Sequence, residues 1–216
     1  MAITEVGSPT LGSDTVGGTS ISVARTTTSG SKGLTVQMSW YNASGTVTAP
    51  TLSWNGTAMT MVAQGTNSSG GDDKRCAVYF LADPAVGSFN LTGTFSNTAL
   101  WRLAIREWSN ADNYHGGNNA TGEGTTPSVN VASVVSGEVI LDATAGAGTY
   151  SAGAGQSDAG SYNGQLAGSI HGAASVDTSS TGTVAMNWTS GDSTWSIAAM
   201  ALVEAASGSR PMFRGS

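Results

Sequence analysis

TLSWNGTAMTMVA, residues 51–63, decides how the chain is read. Asn55-Gly56 stands between two runs of apolar and β-branched residues, with Trp54 immediately before it. Both central positions of a type I′ turn need positive φ, and Asn followed by Gly tolerates this best. The stretch therefore predicts a β-hairpin that pairs Trp54 with Thr57, Ser53 with Ala58 and Leu52 with Met59. A side-chain period of two puts Leu52, Trp54, Thr57, Met59 and Met61 on one largely apolar face. Such a face needs cover, so the hairpin belongs to a larger sheet.

The same alternation recurs along the chain. In GLTVQMSWYN, Leu34, Val36, Met38 and Trp40 oppose Thr35, Gln37 and Ser39. RCAVYFLADP sets Cys76, Val78 and Phe80 against Ala77, Tyr79 and Leu81. GSFNLTGTF and LWRLAIREW place Phe89, Leu91, Phe95, Trp101, Leu103 and Ile105 on apolar faces, with Arg102, Arg106 and Trp108 opposite the last three. Near the end, Val184, Met186 and Trp188 precede a Ser-Gly-Asp turn, and Trp195, Ile197, Ala199, Ala201 and Val203 follow it. SISVAR, SVNVASVV and GEVILDAT are shorter strand candidates. WSIAAMALVEAA is compatible with a helix by propensity, but its alternating partner strand favours a strand.

About ten strands separated by Gly/Ser/Asn/Asp turns indicate an all-β fold, a single antiparallel β-sandwich over residues 1–206. The chain is twice the length of an immunoglobulin domain and lacks its Cys-Trp-Cys spacing, so a jelly-roll-like sandwich is expected. Two stretches, residues 109–127 and 144–165, are rich in Gly, Asn and Ser and read as long loops.

Composition agrees with short strands and many turns. Of 216 residues 30 are Gly, and only 10% are charged, well under the roughly 25% of an average domain. A net charge of −6 argues against electrostatic binding to nucleic acid or an anionic membrane. A single cysteine, Cys76, allows no internal disulfide. The first residues, MAITEVGSPTLGS, contain neither the basic nor the apolar part of a secretory signal. No apolar run reaches membrane-spanning length.

Chemistry is sparse. AGAGTYSAGAG, residues 145–155, lacks the GK[ST] ending of a phosphate-binding loop. His115 and His171 have no Cys or carboxylate neighbours at zinc-ligand spacing. Asp112 and His115 share a polar stretch without a marked serine partner. Asp72, Asp73 and Asp83 flank one strand and are the carboxylates a structural Ca²⁺ would use, but solvated turn residues are the better reading of them. No cofactor and no catalytic residue is assigned. Trp40, Trp54, Trp101, Trp188 and Trp195 continue apolar alternations and are expected in the core. Trp108, Tyr114, His115, Tyr150 and Tyr162 break alternation or fall in the two polar stretches, so they are the candidates for contact with a ligand or partner.

Taken together, PTLSWNGTAMTMVAQ, RCAVYFLADPAVGSFNLTGTF and LWRLAIREWSNAD resemble a recurrent sandwich type. Such units are similar to jelly-roll domains of bacteriophage virion proteins and of large bacterial surface proteins. The resemblance covers residues 20–112 well and the last third only loosely, and its motifs are those of strand and turn. It implies a non-enzymatic structural protein of the virion, made in the host cytoplasm: a capsid-decoration or other accessory subunit. Its partners would be other virion proteins and copies of itself, a trimer above all. The alternative is a carbohydrate-binding or receptor-binding domain that recognises a surface glycan. Residues 207–216, with Arg210, Met212, Phe213 and Arg214, read as an extended tail that docks on a neighbouring subunit.

Overall fold

The computed structural model describes residues 2–43, 45–68, 72–158, 164–191 and 194–205. Seventeen strands run through them. The first half holds β1 (Thr4–Glu5), β2 (Thr10–Thr27), β3 (Ser31–Asn42), β4 (Thr51–Trp54), β5 (Thr57–Ala58), β6 (Thr60–Asn67), β7 (Asp73–Ala82) and β8 (Gly87–Ser109). The second half holds β9 (Ala111–Glu123), β10 (Ser128–Val134), β11 (Val139–Ala147), β12 (Tyr150–Ala152) and β13 (Ser157–Asp158). It is completed by β14 (Gly164–Ala167), β15 (Ile170–Asp177), β16 (Gly182–Ser190) and β17 (Thr194–Glu204). All pairings are antiparallel. The count exceeds the expected ten because strands of two to four residues are too short for alternation to reveal.

The opening hairpin forms as its sequence requires. Asn55 and Gly56 have φ of 46° and 79°, Ser53 and Trp54 pair with Ala58 and Thr57, and Met59 N–H donates to Leu52 O at 2.8 Å. Leu52, Trp54 and Met59 are buried, but Met61 is 43% exposed because the chain leaves β4 after Met59 to pair with β7. Gly56→Val is expected to cost about 1–3 kcal/mol, since a β-branched residue is strained at positive φ. An unchanged melting temperature would refute the turn as a source of stability.

The sheets stack into four layers. The first sheet, ordered β5-β4-β8-β3-β7-β6 with β1 and β2 also on β8, doubles back on itself. On one side β8 pairs with β2 along most of its length; on the other it pairs with β4 near its start and β3 near its end. The start of β8, the second arm of β2, β4 and β5 form layer one. The end of β8, β3, β7 and β6 form layer two. Between them lie Leu34, Val36, Met38, Trp40, Leu52, Trp54, Leu91 and Leu103, each at 0% exposure. Layer three is β13/β14-β15-β11-β17-β9, and layer four is β10-β16-β12. A second core, with Cys76, Val78, Phe80 and Trp108 against Leu141, Ala143 and Met200, joins layers two and three. A third, with Val131, Met186 and Trp188 against Ile140, Ile197 and Ala199, joins layers three and four. The protein is thus an all-β antiparallel sandwich architecture, two sandwiches deep.

The middle contact is partly polar. Gln37 Nε2 donates to Asp142 O at 2.6 Å and Ser175 O at 2.9 Å, and Ser39 Oγ donates to Thr144 O at 2.7 Å. Gln37 Oε1 accepts from Arg106 Nε at 2.8 Å, while Arg106 Nη1 reaches Glu5 Oε2 at 2.6 Å.

Both stretches expected as loops need correction. Residues 111–123 are β9, paired with β17 along its length. Its glycines mark close packing rather than a loop: a Cβ on Gly117 would lie 2.7 Å from Val62 O of β6. Residues 144–165 contain the end of β11, all of β12 and β13 and the start of β14; positions 159–163 lie outside the described residues. WSIAAMALVE is strand β17.

Candidate functional site

The outer face of layer one carries no charge. Ser20, Ser22, Ala24 and Thr26 of β2 point outward beside Ser88, Asn90, Thr92 and Thr94 of β8, and all eight are exposed. They form a hydroxyl and amide ladder: Asn90 Nδ2 donates to Ser22 Oγ at 3.1 Å, and Thr26 and Ser88 hydroxyls bond at 2.7 Å. Ser53 and Thr92 extend it at 2.9 Å. On a chain of net charge −6, this neutral face is a distinct surface.

β2 bounds that face and has one free edge. Its first arm, Thr10–Asp14, pairs with Trp101–Ile105 and its second, Ser20–Thr27, with Gly87–Thr94, while no other described strand pairs with it. Asp14 makes the bend between the arms. Its Oδ1 accepts from Val16 N and Gly17 N, each at 2.9 Å, and Gly17 takes a φ of 99°. A furrow of about 730 Å³ opens between the arms, with Gly12, Val23 and Trp101 among the residues lining it. Exposed edges are commonly blunted by Lys, Pro or inward charge. β2 contains no Lys and no Pro; its one basic residue, Arg25, is an inward charge, and its register breaks between Asp14 and Ser20, so the edge is regular only from Ser20 to Thr27.

The residues expected to make outside contacts are scattered. Trp108 is 1% exposed and donates its Nε1 proton to Thr35 Oγ1 at 2.8 Å, so it is a core residue. It broke the apolar alternation because both faces of β8 are buried at that end. Tyr150 is 3% exposed and sits edge-on to Trp188, ring centres 6.0 Å apart. Tyr114 is half-buried against Phe80. His115 Nε2 lies 2.8 Å from Glu138 Oε2, which also accepts from Val135 N. Tyr162, Arg210, Met212, Phe213 and Arg214 lie outside the described residues. The five expected core tryptophans are all buried.

The titratable groups do not converge. His115 on β9 and His171 on β15 are three strand spacings apart, about 14 Å across the sheet. Burial, then the Arg102 guanidinium, hold His171 below the usual imidazole range. Asp73 and Asp72 stand at the start of β7 and Asp83 beyond its end. Each already has protein donors: Asp73 takes Val47 N, Ser68 Oγ and Arg75 Nε, Asp72 takes Tyr41 Oη, and Asp83 takes Lys32 Nζ. Among the described residues no three His, Cys, Asp or Glu side chains gather as metal ligands. Burial pushes the Cys76 thiol up to about 12, so it stays protonated at neutral pH.

Comparison with known proteins finds no matching family model, no matching curated protein and no matching solved structure. The geometry on its own therefore singles out the neutral face and open edge of layer one. Sequence reasoning missed this surface because the first arm of β2, TLGSDTVGG, reads as a loop, and only SISVAR within the second arm alternates visibly.

Proposed function

We propose that the chain is a structural subunit of a bacteriophage particle, a capsid-decoration or other accessory protein that packs against neighbouring protein surfaces. The observation that carries this reading is the uncharged, hydroxyl-lined outer face of layer one, ending in a strand edge that no other described strand covers. Packing such a face desolvates hydroxyls and amides that find new partners across the interface, and leaves few ions to strip of water. The resemblance of the strand and turn motifs to virion jelly rolls, read from the sequence alone, points the same way. A glycan-binding role rested on exposed aromatics, and the burial of Trp108 and Tyr150 removes two of its anchors.

The test is association with particles of the phage whose genome encodes the chain. Labelled protein added to particles lacking it is expected to band with them in a density gradient. Recovery of all the label at the top of the gradient would overturn the reading.

A further inference from the structure

We infer that the second arm of β2 pairs antiparallel with the same strand of a second copy, joining two layer-one sheets across a two-fold axis. Three observations carry this. First, β2 is the longest strand with a single strand partner, and its second arm, Ser20–Thr27, keeps one unbroken register with β8. A regular strand with a row of unpaired N–H and C=O groups is a template for another strand.

Secondly, exposed apolar residues flank the arm. The described residues include five exposed large hydrophobics: Leu11, Val16, Met61, Val86 and Val135. Val16, 94% exposed, lies in the bend that precedes the second arm, and Leu11 on the first arm. Val86 lies just before Gly87, the partner of Thr27 at the end of the second arm. An antiparallel copy seated on the arm reaches both its ends, where Val16 and Val86 are otherwise left in water.

Thirdly, the charge pattern selects a like copy. The chain carries −6, so two copies repel one another at long range and meet most readily through a strip without carboxylates. Along the second arm the outward side chains are Ser20, Ser22, Ala24 and Thr26, and the one charged residue, Arg25, points inward to Glu107. Identical strands meeting antiparallel are self-complementary, and the contact closes as a dimer rather than growing. This inference uses the proposed function only in taking a like subunit as the occupant, and the two can fail separately.

The experiment is sedimentation equilibrium of the full chain from 1 μM to 1 mM (roughly the range of weak to firm homodimers), alongside Ser22→Lys/Ala24→Lys. The wild type is expected to be dimeric at the upper end. The double variant, which sets four ammonium groups at the axis, is expected to dissociate at least tenfold more readily while keeping the wild-type circular dichroism and melting temperature. Single Ser20→Cys, Ser22→Cys and Ala24→Cys variants give a second readout, since native Cys76 is buried and protonated. At least one should form a disulfide-linked dimer under mild oxidation. A wild type that is monomeric at 1 mM, a trimer, or a dimer that ignores the lysines and never cross-links would each overturn the inference. A monomer that still bands with particles overturns the edge pairing alone. A monomer that does not band overturns the functional reading as well.

Discussion

Arg25→Met is expected to remove about 3–5 kcal/mol of stability, read as a fall in the denaturant midpoint at unchanged slope. Arg25 starts on β2 in layer one and crosses the first core. Its Nη1 donates to Ile105 O at 2.9 Å, Thr10 Oγ1 at 3.0 Å and Ser8 O at 3.2 Å, and its Nη2 to Val6 O at 3.2 Å. Nη2 also lies 3.5 Å from Glu107 Oε2, with side chains 5% and 1% exposed. One guanidinium thus ties layer one, the end of β8 and the segment between β1 and β2. Glu107 keeps Thr28 N and Oγ1 as donors, but without Arg25 it is a buried charge lacking a counter-ion. The cost of the substitution is mainly that orphaned charge, so Arg25→Met/Glu107→Met is expected to be milder than the single change. A loss below about 1 kcal/mol for Arg25→Met would mean that the pair is dispensable.

Asp142 is expected to make the fold more stable as pH falls from 7 to 4, relative to Asp142→Asn. Its carboxylate is fully buried between layers three and four. It accepts from Ser175 N at 2.7 Å, Ser175 Oγ at 2.8 Å and Trp188 Nε1 at 2.7 Å. Burial pushes it from 3.8 up to about 6, and the Trp188 and Ser175 donors only partly offset that. The neutral form is therefore the one favoured by folding. Between about 3.8 and 6 the folded protein holds a proton that the unfolded chain has released, so this contribution is complete below 3.8 and is lost as pH rises through 6. At roughly 1.4 kcal/mol per pH unit, the wild type gains about 3 kcal/mol on the variant across that window. Chemical denaturation of both proteins at several pH values measures the difference, and a gap that does not change with pH would refute the assignment. Other carboxylates drive the absolute curve, which is why the comparison with Asp142→Asn is needed.

Much of the fold is legible because alternation assigns faces: Leu34 to Trp40, Cys76 to Leu81, Val184 to Trp188 and Trp195 to Val203 all lie on strands as their spacing requires. Alternation does not say which faces are covered. Thr35, Gln37 and Ser39 form the polar side of β3 and read as a solvent face, yet all three are fully buried against layer three. The same ambiguity made Trp108 look like an outside contact. Glycine misleads in the other direction: Gly117 reads as loop punctuation but sits where two backbones meet. The neutral face of layer one is visible in sequence only as a shortage of charge. Placing it on one surface depends on the bend at Asp14, which is set by two side chain–backbone hydrogen bonds within one turn.

The polar back of layer two also bears on how the chain is born. Layers one and two are complete once Ser109 has left the ribosome, while everything in layers three and four comes from residues 111–205. At about 5–20 residues per second, those remaining residues take on the order of 5–20 s to appear, longer than the milliseconds to seconds in which β-sandwiches fold. For that interval the first sandwich has one unclad face. Thr35, Gln37, Ser39 and Arg106 keep part of it wettable until the backbone carbonyls of Asp142, Thr144 and Ser175 arrive to accept from Gln37 and Ser39. A wholly greasy seam would hold the finished halves as firmly, but during synthesis it would offer every neighbouring nascent chain a place to stick.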